Sequence, residues 1–237
     1  NVRLTGRIGS LATLKPPLHV DSLSGTVSYA IEMDGPLTDP SGEIVIEAES
    51  PSYRGISFNT ARMRALVRGD SILVRQAELA RDSLRVEASG AFDYRAMEGA
   101  AGVDVKGGGR DEYPLGRLSV SFGSLKSKMF DARIHGESIS AELLKYFAPE
   151  ASEARGLLFF SGAVNGSFSR PQAEIDFVFR QPGFRSAYLD SMRGEVLLRN
   201  GIVSLESLRL YREKFISSAR GRLDLTETPE SYTVTPQ

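Results

Sequence analysis

Residues 25–51 read GTVSYAIEMDGPLTDPSGEIVIEAESP and residues 156–182 read GLLFFSGAVNGSFSRPQAEIDFVFRQP; at a shift of 131 the two lie over one another without a gap. Gly25 falls on Gly156, Gly35 on Gly166, Pro40 on Pro171, Glu43 on Glu174, Ile44 on Ile175 and Pro51 on Pro182. The register holds further along, where Arg54 meets Arg185, Arg68 meets Arg199, Leu79 meets Leu210, Gly90 meets Gly221 and Asp93 meets Asp224. Turn formers and apolar positions recurring in one frame mark two copies of one supersecondary unit. Upstream, Arg3-Leu4-Thr5-Gly6 resembles Arg133-Ile134-His135-Gly136 after a one-residue adjustment. Downstream, Tyr232-Thr233-Val234 falls where Ala101-Gly102-Val103 stood. The expected division is a first repeat over 1–94, shortened at its N-terminus, then remaining strands and a Gly-rich loop over 95–130. A second repeat follows over 131–225, and the start of a third over 226–237.

Inside each copy the apolar residues recur at every second position, the mark of strands with one buried face. Val27, Tyr29, Ile31 and Met33 share one face, and Thr26, Ser28, Ala30 and Glu32 the other. Leu158, Phe160, Gly162 and Val164 repeat the pattern. After the Pro turn, Ile44, Ile46 and Ala48 alternate with Glu47 and Glu49, as Ile175, Phe177 and Phe179 do with Asp176 and Arg180. Further strands are read at Ala65 and Val67, at Ile72 and Val74, and at Leu84, Val86 and Ala88. Their counterparts are Val196 and Leu198, Val203 and Leu205, and Phe215, Ser217 and Ala219. Spacings of about ten residues, punctuated by Gly, Pro, Asp or Asn, predict an antiparallel meander. So long a period implies several strands per unit, stacked along one axis. The one expected helix covers 140–148, with Ser140 as N-cap, Pro149 as stop, and Leu143, Leu144 and Phe147 packing over a sheet edge or end. The run Gly107-Gly108-Gly109 reads as a loop.

The chain has 237 residues and a net charge of -1, so no basic field would gather nucleic acid or an anionic membrane surface. It has no cysteine, which removes disulfides, thiol catalysis and thiolate metal sites together. The first residue is Asn1 and no run of 18 apolar residues occurs, so a processed or excised piece is expected, with any signal or anchor outside it.

Enzyme chemistry finds few candidates. The two histidines, His19 and His135, cannot form a zinc site of the usual composition without cysteines. His135 falls at a strand end where the first copy has Thr5, which predicts a solvent-facing side chain, and His19 sits in a Pro-rich connector. The glycine triplet lacks the Gly-Lys-Ser/Thr ending of a phosphate loop. Asp93 and Asp224 are repeat-equivalent, which points to a turn device rather than a glycosidase carboxylate. Asn165-Gly166-Ser167 fits a glycosylation acceptor, but the equivalent Asp34-Gly35 makes a turn the better reading. No catalytic residue, metal or cofactor is implied.

The sequence LLKYFAP over 143–149, GLLFFSGAVNGSFSRP over 156–171 and GRLDL over 221–225 resembles the repeating β unit of the AsmA-like and TamB-like family of bacterial envelope proteins. The resemblance covers about 6–225. It implies a mainly β fold: an elongated, curved antiparallel sheet, a β-taco or groove built of repeated multi-strand units with one short helix. It further implies bridge-like lipid transfer, with a concave apolar face. Such proteins are anchored in the inner membrane and cross the periplasm of Gram-negative bacteria. The implied partners are a phospholipid or other acyl lipid, and an outer-membrane assembly protein.

The candidate groove residues are Val27, Tyr29, Ile31, Ile44, Ile46, Val67 and Val74 in the first copy. In the second they are Leu158, Phe160, Ile175, Phe177, Phe179, Leu198 and Leu205. The same side chains would serve equally as ordinary sheet-packing core. A second class of function is an assembly scaffold that lends an open sheet edge, for which residues 232–235 are the candidate strand. A polysaccharide-acting enzyme lacks an acid/base constellation.

Overall fold

In the computed structural model the described residues are 2–10, 23–36, 38–53, 56–108, 112–123, 129–146, 148–167 and 170–224. The chain is mainly antiparallel β with almost no helix, and it divides into two compact units, Asn1–Pro114 and Leu115–Gln237.

The first unit holds β1 (Val2–Ile8), β2 (Leu23–Asp34), β3 (Ser41–Tyr53), β4 (Ile56–Ser57), β5 (Thr60–Arg68), β6 (Ser71–Arg81), β7 (Leu84–Asp93) and β8 (Glu98–Gly107). These run as an antiparallel meander, β1-β2-β3-β5-β6-β7-β8, with β4 folded back on the end of β3. The sheet is open and curved rather than closed on itself.

The second unit takes in β9 (Tyr113–Gly123, which starts at the boundary), β10 (Met129–Ser140), β11 (Ala154–Ser167), β12 (Arg170–Phe184) and β13 (Ala187–Tyr188). It ends with β14 (Ser191–Arg199), β15 (Ile202–Arg212) and β16 (Phe215–Asp224). Its order is β9-β10-β11-β12-β14-β15-β16, with β13 on the end of β12.

The shift of 131 recurs in the backbone. Moved by that amount, the bounds of β4, β5, β6 and β7 become those of β13, β14, β15 and β16. The bulges move likewise: the slip between Val74 and Ala77 reappears between Leu205 and Leu208, and that at Arg64/Ala65 reappears at Glu195/Val196. Gly25 and Gly156 sit at the bulges that open β2 and β11, with φ of 117° and 114°, a region closed to residues with a Cβ. The loop after each β6-type strand is tied by the same bond. Asn59 Oδ1 accepts from the Asp82 amide at 2.7 Å, and an Asp190 carboxylate oxygen accepts from the Glu213 amide. Asp82 and Glu213 both adopt left-handed φ, as a two-residue hairpin loop of this type requires.

Three expectations need correction. Residues 140–148 do not form one helix: there are two 3-10 segments, η1 (Ala141–Tyr146) and η2 (Pro149–Ala151), and Pro149 opens the second instead of stopping the first. Six residues after a strand end are too few to nucleate a stable α-helix, and the tighter 3-10 turn is the usual short form. Ser140 does cap it, its Oγ accepting from the Glu142 amide at 3.2 Å. Phe147 lies outside the described residues. Gly107 belongs to β8 and is buried, so the strand runs into the glycine triplet. Asn165-Gly166 is not the turn itself, since the ladder continues to Ser167 opposite Arg170. Gly166 keeps a positive φ of 105° within it. Asp93 does act as a turn device, its Oδ1 accepting from the amides of Arg95 (2.9 Å) and Ala96 (2.7 Å). His19, Arg54, Leu225 and the third-copy segment 226–237 fall outside the described residues.

Candidate functional site

Registers across the ladders assign every strand residue to a face. In the first unit one transverse row runs Tyr29–Ile46–Met63–Ala77–Ala88–Val103. The next runs Ile31–Ile44–Ala65–Val74–Gly90–Ala101. Flanking rows start at Val27 and Ala48 on one side and at Met33 and Gly42 on the other, the latter passing through Val67. Every member of these four rows is apolar or glycine. All seven candidate residues of the first copy lie in them.

The second unit builds the same rows. Phe160–Phe177–Gly194–Leu208–Ala219 corresponds to the Tyr29 row, and Gly162–Ile175–Val196–Leu205–Gly221 to the Ile31 row. Leu158 pairs with Phe179, and Ala173 with Leu198, in the flanking rows. The seven candidates of the second copy therefore also share one face.

Volume along these rows is matched by exchange between neighbours. Where the first unit sets Ile46 beside Met63, the second sets Phe177 beside Gly194, and the Phe177 ring occupies the space a Gly194 Cβ would need, at 2.8 Å. Likewise the Tyr29 ring lies over Gly6 and the Phe160 ring over Gly136. An aromatic ring laid across a glycine on the next strand shields backbone that would otherwise face water.

This apolar face has no second layer among the described elements. Strands pack on their ladder neighbours, β4 and β13 fold onto β3 and β12, and η1 packs on β11. Among the described residues the buried apolar side chains are few: Ala48, Ala65, Val67, Leu84, Leu115, Ala141 and Ala154, of which only Leu115 is a large residue under 2% exposed. Tyr29, Ile46, Phe160, Ile175, Phe177 and Phe179 are all half-buried. In a closed sandwich such central rows would be the most buried positions. In the first unit a hollow of about 290 Å³ opens over Ile46, Ala61, Met63, Leu79, Val86 and Ala88.

The opposite face carries the charges. In the first unit they are tied across strands: Arg3–Glu32 at 3.1 Å, Arg64–Glu43 at 3.3 Å, Arg62–Glu47 at 3.7 Å, Arg85–Glu78 at 3.4 Å and Lys106–Glu87 at 2.7 Å. The hydrogen bond that the Lys106 ammonium donates to Glu87 raises its pKa above the ordinary lysine value, against the opposing effect of desolvation. On the same face of the second unit, Arg180 lies over the Phe159 ring (4.5 Å) and Arg193 over the Tyr211 ring (5.9 Å). There a shallow depression of about 420 Å³ contains His135, Ser161, Asp176 and Glu195, which sit opposite one another on successive strands. His135 is exposed, as its position opposite Ser161 on the outer face dictates. Among the described residues no group of three metal-ligating side chains gathers, and no helix is long and apolar enough to cross a membrane.

Positions past the bulges escaped the sequence reading. Leu208 and Leu210 belong to the apolar face although Leu205 and Leu208 are three apart, because the slip in β15 restores the face after an extra residue. The signal was present as Leu205-Glu206-Ser207-Leu208, an apolar spacing of three inside a strand.

No family model matches the chain, and neither curated proteins nor solved structures provide a match.

Proposed function

We propose that this chain is a segment of a periplasm-spanning lipid carrier of the AsmA-like and TamB-like kind, whose apolar face solvates acyl chains during outer-membrane biogenesis. Supporting this reading is one observation: each unit presents an apolar face four rows wide, and the described elements lay nothing over it. The mechanism is solvation, without bond chemistry. Burial of a methylene is worth about 0.8 kcal/mol, so a chain of about sixteen carbons meets a barrier on the order of 10 kcal/mol in bare water. Rows of similar composition offer successive positions of similar energy, so a chain slides along them without a deep trap. Headgroups stay in water. The scaffold alternative rests on 232–235, outside the described residues, and no observation favours it.

Phe177 and Asp176 point to opposite faces of β12. A photo-crosslinking residue at 177 is expected to capture an acyl lipid probe, and one at 176 to capture none. With the crosslinking residue moved to Ile175 on the same face, Phe177→Asp should abolish capture while costing only about 1–2 kcal/mol of stability, because the side chain is half-buried. Equal capture at both positions, or collapse of the fold with Phe177→Asp and no capture at 177, would leave these residues as plain core.

A further inference from the structure

One end of the second unit's apolar face brings two arginines, without a carboxylate partner among the described residues, against a cluster of apolar side chains. A pocket of about 480 Å³ opens where η1 meets the ends of β11 and β12, lined by Leu144, Phe179, Phe184 and Tyr188 together with Arg155 and Arg212. Phe179 belongs to the apolar face, so the pocket adjoins it. No carboxylate lines it. The Arg212 guanidinium lies 4.6 Å from the Tyr188 ring centroid, and that of Arg185 lies 5.3 Å from the Phe184 centroid. Among the described residues none of Arg155, Arg185 and Arg212 forms an ion pair with a carboxylate, although most arginines of the first unit's outer face do. Leu144, Phe184 and Tyr188 are 49%, 43% and 51% exposed, a large apolar surface for side chains beside free charge.

The repeat supplies an internal control. At the equivalent place the first unit has Ser24 for Arg155, Ala48 for Phe179 and Ser57 for Tyr188, and the Ser24 and Ser52 hydroxyls bond each other at 2.6 Å. Of the two lining cations only Arg81 remains, in place of Arg212. The combination of apolar wall and free guanidinium is therefore particular to the second unit.

We propose that this pocket seats an anionic phospholipid, its acyl chain against Leu144 and Phe179 and its phosphate on Arg155 and Arg212, which makes it the headgroup-selective point of the lipid path. The inference rests on the lipid reading above. A guanidinium fork matches phosphate oxygens in pairs, and one stacked on an aromatic ring is already oriented for them. An apolar wall adjoining a free cation matches an amphiphile with a negative head. It does not match a free phosphate, which would leave that wall in water.

The test measures binding of dioctanoyl phosphatidylglycerol and dioctanoyl phosphatidylcholine to the whole chain by calorimetry, with glycerol phosphate as the headgroup alone. The phosphatidylglycerol is expected to bind about tenfold more tightly than the choline lipid, as two exposed charge contacts allow. Arg155→Gln with Arg212→Gln should bring the two lipids level without changing choline-lipid binding or the strand circular dichroism. Arg81→Gln should leave the preference intact. Equal affinities in the unaltered chain, a preference that survives the double substitution, or glycerol phosphate binding as tightly as the lipid would each overturn the pocket while leaving the lipid reading standing. Failure of both lipids to bind would overturn both.

Discussion

The two units share a backbone and an apolar face but not an outer face, and the contrast separates what the fold requires from what each unit adds. Arg64 and Glu43 make an ion pair in the first unit; at the equivalent positions the second has Glu195 and Glu174, two like charges. Glu47, paired with Arg62, is replaced by Val178 beside Arg193. Arg85, paired with Glu78, becomes Ile216 near Arg209. The first two changes remove one partner and the third exchanges both, and Arg193, left without its glutamate, lies over the Tyr211 ring instead. The apolar rows keep their character apart from Ser217, which stands in the second unit where the first has Val86. The apolar face is common to both copies and the charged one differs between them, as expected if the former is needed in every unit and the latter is tuned locally.

The largest expected effect probes the shared backbone. Gly25→Ala and Gly156→Ala each place a Cβ about 2.8 Å from backbone of the facing strand, at Pro51 and Arg180 respectively, at a φ that only glycine adopts readily. Each should cost about 2–3 kcal/mol in urea unfolding, and the two losses should agree. If one substitution were silent, the units would not share the bulge that defines them.

A smaller effect probes the charged face. Arg64→Gln should cost about 0.5 kcal/mol and its cost should vanish in high salt, since the pair is largely exposed. The equivalent Glu195→Gln should be neutral or stabilise by a few tenths of a kcal/mol, as relief of like charge predicts. Equal destabilisation by both would erase the contrast.

The smallest effect is a pH limb confined to the first unit. Because Glu87 raises the Lys106 pKa in the folded chain, the pair's contribution is fully present below the unfolded lysine value, near 10.4, and disappears as pH rises through the folded one. The melting temperature of Lys106→Met should therefore lie slightly below that of the unaltered chain at neutral pH, and the gap should close in strong alkali.

Much of this was legible in the sequence because period-two alternation and turn residues act locally. Tyr29, Ile46, Phe160 and Phe177 could be assigned to one face without knowing their cross-strand partners. The repeat at 131 carried the second copy along with the first. What stayed hidden depends on neighbours distant in sequence. The slip in β15 shows in the sequence only as a spacing of three between Leu205 and Leu208, which period-two alternation does not read as one face, and the facing strand is needed to place Leu208 and Leu210 there. The pocket of Arg155 and Arg212 joins residues more than fifty positions apart, and no local spacing announces it. The 3-10 form of η1 and η2 reflects how little chain separates β10 from β11, which propensity alone does not weigh.

The central claim is that the apolar face is open, and the absence of native cysteine makes it directly measurable. Single cysteines at Ile46, Ile175 and Phe177 should react with a small uncharged thiol reagent within about tenfold of the rate at Glu47, Glu174 and Asp176, since the first three are half-buried and not sealed. Dioctanoyl phospholipid should then protect the first set and leave the second unchanged. Cysteines on the apolar face that react only when the chain unfolds would mean that the face is covered, and would contradict the account.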